Sequence, residues 1–107
     1  KGRSIVAGDF NNSIKWDRQG NPYNFQTIAD DLHSCGLRSA YHSLEGKAYG
    51  TETIPTYFHT KNQEKSHHID FCFVHESIGI RRVEIGEFSA WREHSDHVPL
   101  VIDLNDA

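Results

Sequence analysis

Apolar positions recur most densely in the segment 66–74 (SHHIDFCFV), where Ile69, Phe71 and Phe73 interleave with Asp70, Cys72 and Val74. An extended chain sends successive side chains to opposite faces, so this pattern predicts a strand covered on both sides. The run 4–10 (SIVAGDF) is shorter and ends in Gly8 and Asp9, which predicts a buried strand delivering Asp9 into a loop. Between them the period changes. Phe25, Ile28, Ala29, Leu32 and Cys35 fall on one stripe of a helix, with Asn21 as N-cap, Pro22 at the first helical position and Gly36 as the stop. The polar stretch 16–23 ahead of it reads as a surface loop.

Further along, 37–44 holds a short helical turn, and 45–52 (EGKAYGTE), with two glycines, reads as a mobile linker. Segment 56–59 is a strand, joined through a hairpin loop at 61–65 to the 66–74 strand. A turn at 76–79 leads to an amphipathic strand at 80–85, a loop at 88–94 and a last strand at 98–104, which places Val98, Leu100, Ile102 and Leu104 on one face. There is no repeat, low-complexity segment or internal boundary, so residues 1–107 form one domain. The expected architecture is α/β, of the α+β kind: a mostly antiparallel sheet of about five strands with the 22–35 helix on one face. With one good amphipathic helix against strands that are apolar on both sides, one sheet face is expected to lack a cover within this chain. Self-association or a partner would then bury it.

Composition allows this reading. In 107 residues, 36% hydrophobic and 11% aromatic content supports a small core. The net charge of −4 excludes a broad basic field, so a phosphate-bearing partner requires local cations or a bound metal. Cys35 and Cys72 lie among apolar neighbours and read as reduced core thiols, which favours a reducing, cytoplasmic compartment. No run of about 18 apolar residues predicts a membrane span. Lys1 rather than Met opens the chain, which leaves an upstream signal peptide open.

Asp70 is the chemical anomaly of the 66–74 strand. A buried carboxylate needs a hydrogen-bonded or charged partner, and His97 in SDHVPL is the candidate; the alternative is that Asp70 caps a turn at the solvent end. Asp9 and Asn11, two apart, point the same way on an extended backbone and could hold one ligand, or could form an Asx-rich turn. Among the histidines, His59, His67 and His68 invite a zinc reading. Adjacent His67 and His68 face opposite ways on a strand, which argues against a shared ion. Trp16 and Trp91 flank these segments, placed to stack on a base, to pack on a lipid or sugar, or to cover the rim of the core.

GDFN at 8–11, HHID at 67–70 and SDHVP at 95–99, in this order and each joined to an apolar strand, resemble the endonuclease/exonuclease/phosphatase superfamily, the fold shared by exonuclease III, deoxyribonuclease I and the sphingomyelinases. The resemblance covers the C-terminal half of that family's domain, and so implies half of a four-layer α/β sandwich. It implies a magnesium-dependent phosphodiester hydrolase, with manganese as the alternative ion, acting foremost on DNA or RNA. A phosphatase or phospholipase acting on inositol phosphates or sphingolipids, or a non-catalytic binding module, are the other readings. By resemblance, Asp9 and Asn11 look like the pair that orients water and phosphate, and His97 like the catalytic histidine. Asp70 looks like the carboxylate that fixes the His97 tautomer, and Asp96, together with Asp9, like a ligand to the ion. The family's first half supplies a glutamate ligand and an asparagine, so the metal site is expected to be incomplete in residues 1–107 and this chain alone catalytically poor. His68 stands where many relatives carry arginine and reads as a surface histidine.

Overall fold

The densest apolar run becomes the central strand of the molecule. The computed structural model describes residues 3–105. In chain order its elements are β1 (Ile5–Asp9), α1 (Phe25–Ser34), β2 (Leu37–Ser39), α2 (Ala40–Glu45), β3 (Tyr57–Phe58), β4 (Ser66–His67), β5 (Asp70–His75), β6 (Ile80–Ile85), α3 (Phe88–Trp91) and β7 (Leu100–Leu104), with short 3-10 turns at Ile14–Trp16 and His59–Lys61. Every strand pairing is antiparallel. The fold is α+β.

β5 is flanked by β1, with Ile5 opposite Val74 and Asp9 opposite Asp70, and by β2, with Leu37 opposite His75. Its alternation sorts the core. Phe71 and Phe73 join Phe25, Ala29 and Leu37 on the α1 side, whereas Cys72 and Val74 join Ala40 and Ile78 and are packed by Val83, Leu100 and Ile102 of the β6–β7 ribbon. Each of the phenylalanine, leucine, isoleucine and valine side chains fully withdrawn from water contributes about 1.5–3 kcal/mol. Both faces of β5 are thus covered from within. β1, expected to be a buried strand, is instead exposed along its whole length, with Ile5 at 48% and Val6 at 40%, because β5 covers only one of its edges.

The expected single sheet is divided into β1-β5-β2, β3-β4 and β6-β7. The 66–74 run breaks at His68 and Ile69, where the chain leaves the β3–β4 hairpin for the central sheet. The amides freed by the break are not orphaned: the buried Thr56 hydroxyl accepts from Ile69 N at 3.0 Å and Asp70 N at 3.1 Å.

α1 starts at Phe25, not Pro22. The Asp17 carboxylate, eight residues upstream, accepts from Phe25 N at 2.7 Å and Gln26 N at 3.0 Å and so does the capping, while Asn21 accepts from Tyr23 N in a local turn. Phe25 and Ala29 are buried, but Cys35 at the helix end is exposed, so only Cys72 is a core thiol; both are free. Gly36 takes φ +83°, and a Cβ there would meet His75 Nε2 at 3.0 Å, so the helix stop is also a close approach.

Segment 37–44 is split between β2, drawn into the sheet by β5, and α2. Segment 45–52 is clamped: the Glu52 carboxylate accepts from His42 Nε2 at 2.6 Å and Gly50 N at 3.1 Å, and Tyr49 packs on the α1-side core. Two glycines suggested mobility, but tertiary contacts override them. The 88–94 segment contains α3, because Phe88 packs on Phe58 with ring centroids 4.5 Å apart. Among the described residues, no helix is long and apolar enough to cross a membrane.

Candidate functional site

Two strand ends, the loop 95–98 and one threading segment build the site. β1 ends at Asp9 directly opposite Asp70, the first residue of β5. Gly8, paired with Phe71 just ahead of Asp9, adopts φ +144°, which L side chains rarely take. The third contribution is the loop 95–98, held by segment 56–58: Phe58 N donates to Asp96 O at 2.7 Å, and Val98 N to Thr56 O at 2.9 Å. Tyr57 and His97 form an isolated antiparallel bridge. One short segment therefore positions both Asp70 and His97.

The His97 ring lies at the centre. Its Nδ1 is 2.9 Å from Asp70 Oδ2, and because a carboxylate only accepts, Nδ1–H donates. That leaves Nε2 on the open side, 3.6 Å from Asp9 Oδ2 and 4.0 Å from Asp96 Oδ1. Exposure grades outward, from 16% for the Asp70 side chain through 30% for His97 to 47% for Asp9 and Asp96. Asn11 differs from expectation in the group it uses: its backbone N–H donates to Asp9 Oδ1 at 2.8 Å, in an Asx turn with Asn11 at φ +53°. This fixes one Asp9 oxygen and leaves the other toward His97.

Three carboxylates thus surround one imidazole. Even with the ring protonated the cluster is anionic, so an anionic phosphodiester approaches it favourably only when a cation offsets that charge. Asp9, Asp70 and His97 are the group of metal-ligating side chains whose donor atoms all lie within 4.8 Å of one another among the described residues. Asp96, half-exposed and with Oδ1 4.0 Å from His97 Nε2, stands outside that group, and Asp70 within it is already engaged by His97. A cleft of about 440 Å³ between β1, β5 and β7 counts Asp9 and Asp70 among its lining.

His68 is not a surface residue. It is 7% exposed, its Nδ1–H donates to Ile54 O at 2.9 Å, and burial lowers its pKa. The apolar residues beside HHID carried that information only weakly. His67 faces the other way, toward Trp16 at 5.0 Å and Tyr57 at 6.4 Å between ring centroids. His59 is exposed and bonded through Nδ1 to the Tyr57 hydroxyl at 3.0 Å.

Two residues that organise the site were not singled out by motif. Thr56 has no local signal beyond its position before a strand. Tyr57 packs on His97 with centroids 4.9 Å apart, and its only sequence hint is an aromatic in a polar hairpin. No protein-family model, curated protein or solved structure matches this chain.

Proposed function

We propose that this chain carries the histidine–carboxylate half of a divalent-cation-dependent phosphodiester hydrolase acting on nucleic acid. The observation that supports the reading best is His97 held by Asp70 on one ring nitrogen, with the other nitrogen presented between Asp9 and Asp96. The Asp70 carboxylate fixes the orientation of the ring with Nδ1–H on its side. When Nε2 also carries a proton, the ring donates from it to a phosphoryl oxygen or to the departing oxygen, where negative charge grows as the ester bond breaks. Asp9, its Oδ1 held by the Asn11 amide, turns Oδ2 toward the same space to accept a proton from an attacking water. Asp9 and Asp96 would hold the cation, and hard oxygen donors suit magnesium or manganese. Such an ion, when bound, supplies charge neutralisation and a more acidic water.

The test is cleavage of a single-stranded oligonucleotide, with sphingomyelin and an inositol phosphate as competing substrates, in magnesium and in EDTA, by this chain together with the complementary half of the domain that the reading implies. EDTA-sensitive cleavage of the oligonucleotide that is lost in His97→Ala supports the reading. Hydrolysis confined to the lipid or the inositol phosphate assigns the site to the phospholipase or phosphatase alternative, and binding without hydrolysis in any arm assigns a binding module.

A further inference from the structure

The rings beside the catalytic histidine form a row. β3 and β4 pair Tyr57 with His67, and the isolated bridge pairs Tyr57 with His97, so the three residues are cross-strand neighbours in one register. Their centroids step 6.4 Å from His67 to Tyr57, nearly parallel at 22°, and 4.9 Å from Tyr57 to His97. Trp16 extends the row from the 3-10 turn, edge-on to His67 at 5.0 Å, and is 42% exposed. A large aromatic left this open is not completing a core.

We propose that this row, Trp16–His67–Tyr57–His97, is a stacking track that carries the bases of single-stranded nucleic acid up to the scissile phosphate; the proposal rests on the hydrolase reading above for the role of His97. Flat rings accept any base through its π face, without base-specific hydrogen bonds, which suits a sequence-tolerant track. The track ends at the ring proposed to meet the phosphate, so consecutive nucleotides would lie along it. One cation stands beside it in a chain of net charge −4. Lys15 precedes Trp16 and lines a small polar cleft with Ser66 and His67. A lipid tail would meet imidazoles here rather than an apolar trough, so bases fit the row better.

A Trp91→Phe form of the chain leaves Trp16 as the sole indole and makes its emission a direct probe. Titration with oligothymidylate is expected to quench Trp16, whereas an abasic oligomer of equal phosphate number binds about tenfold more weakly and without quenching. Trp16→Ala should lose about tenfold in affinity for oligothymidylate and almost none for the abasic oligomer, and Trp16→Phe should restore most of it. Equal affinity for base-bearing and abasic oligomers, or quenching by sphingomyelin vesicles and not by oligothymidylate, overturns the track. The quenching is read on the intact Trp16 side chain, so a poorly folding Trp16→Ala does not remove the test. Quenching by the chain, with neither oligomer cleaved once the complementary half of the domain is supplied, would sink the hydrolase reading while leaving the track standing.

Discussion

His97 donates from Nδ1 to the Asp70 carboxylate across 2.9 Å although 27 positions separate them in the chain. The contact exists because Thr56 binds the Asp70 amide from one side while its own carbonyl takes the Val98 amide from the other. The pair is thus a consequence of one short segment threading between two others.

If His97 acts as proposed, His97→Ala lowers cleavage of a single-stranded oligonucleotide by about 10²–10⁴-fold, the usual contribution of a positioned acid or base. Asp70→Asn should cost less, about 10–100-fold, because the carboxamide still holds the ring but supplies no charge. Initial rates in magnesium, with the complementary half of the domain supplied, decide it, and wild-type rates in His97→Ala would remove the assignment.

Magnesium binding should follow the open oxygens. Calorimetry on the 107-residue chain is expected to give a dissociation constant of about a millimolar or weaker, since Asp9 and Asp96 are few ligands for an ion that dehydrates reluctantly. Asp9→Asn and Asp96→Asn should each weaken it further, and Asp70→Asn should not. Loss of binding in Asp70→Asn alone would instead place the ion on Asp70.

Thr56→Val keeps the shape of a fully buried side chain and removes the acceptor of two amides. A loss of about 1–3 kcal/mol in urea unfolding is expected, the cost of leaving buried donors unmade. Stability unchanged within error would show that another acceptor replaces the hydroxyl.

Acid should destabilise the fold in two stages. Burial lowers the His68 pKa below its ordinary 6.5, so as pH falls through that value the unfolded chain takes up a proton that the folded chain refuses. The Glu52 carboxyl is pushed up by burial, but the hydrogen bonds from His42 and Gly50 outweigh it and hold it down to about 2; its stabilising effect is complete above the ordinary 4.5 and disappears as pH falls toward 2. Unfolding free energy measured against pH should therefore decline below 6.5 and again below 4.5, with the first decline flattened in His68→Gln and the second in Glu52→Gln. A first decline of the same slope in His68→Gln would place it on other histidines.

How far local pattern reached is clearest at three places. Alternation in 66–74 determined that β5 would be buried on both faces, since period-two apolar residues have no other use in so short a chain, and the stripe from Phe25 to Leu32 determined α1. The motif segments singled out Asp9, Asp70 and His97, and these do converge. Local signals misled where a distant group competed: Asn21 and Pro22 looked like a helix start, but Asp17 supplied the cap; the glycines of 45–52 looked like a linker, but the Glu52–His42 contact tied it down. Only the tertiary structure decided that His97 would reach Asp70, that His68 would turn inward and His67 outward beside Trp16, and that the strands would divide into three sheets. Each of those outcomes depends on which amides and carboxylates find partners across the fold. Periodicity along a chain records which face is apolar, and carries no information about the partner a polar group will meet there.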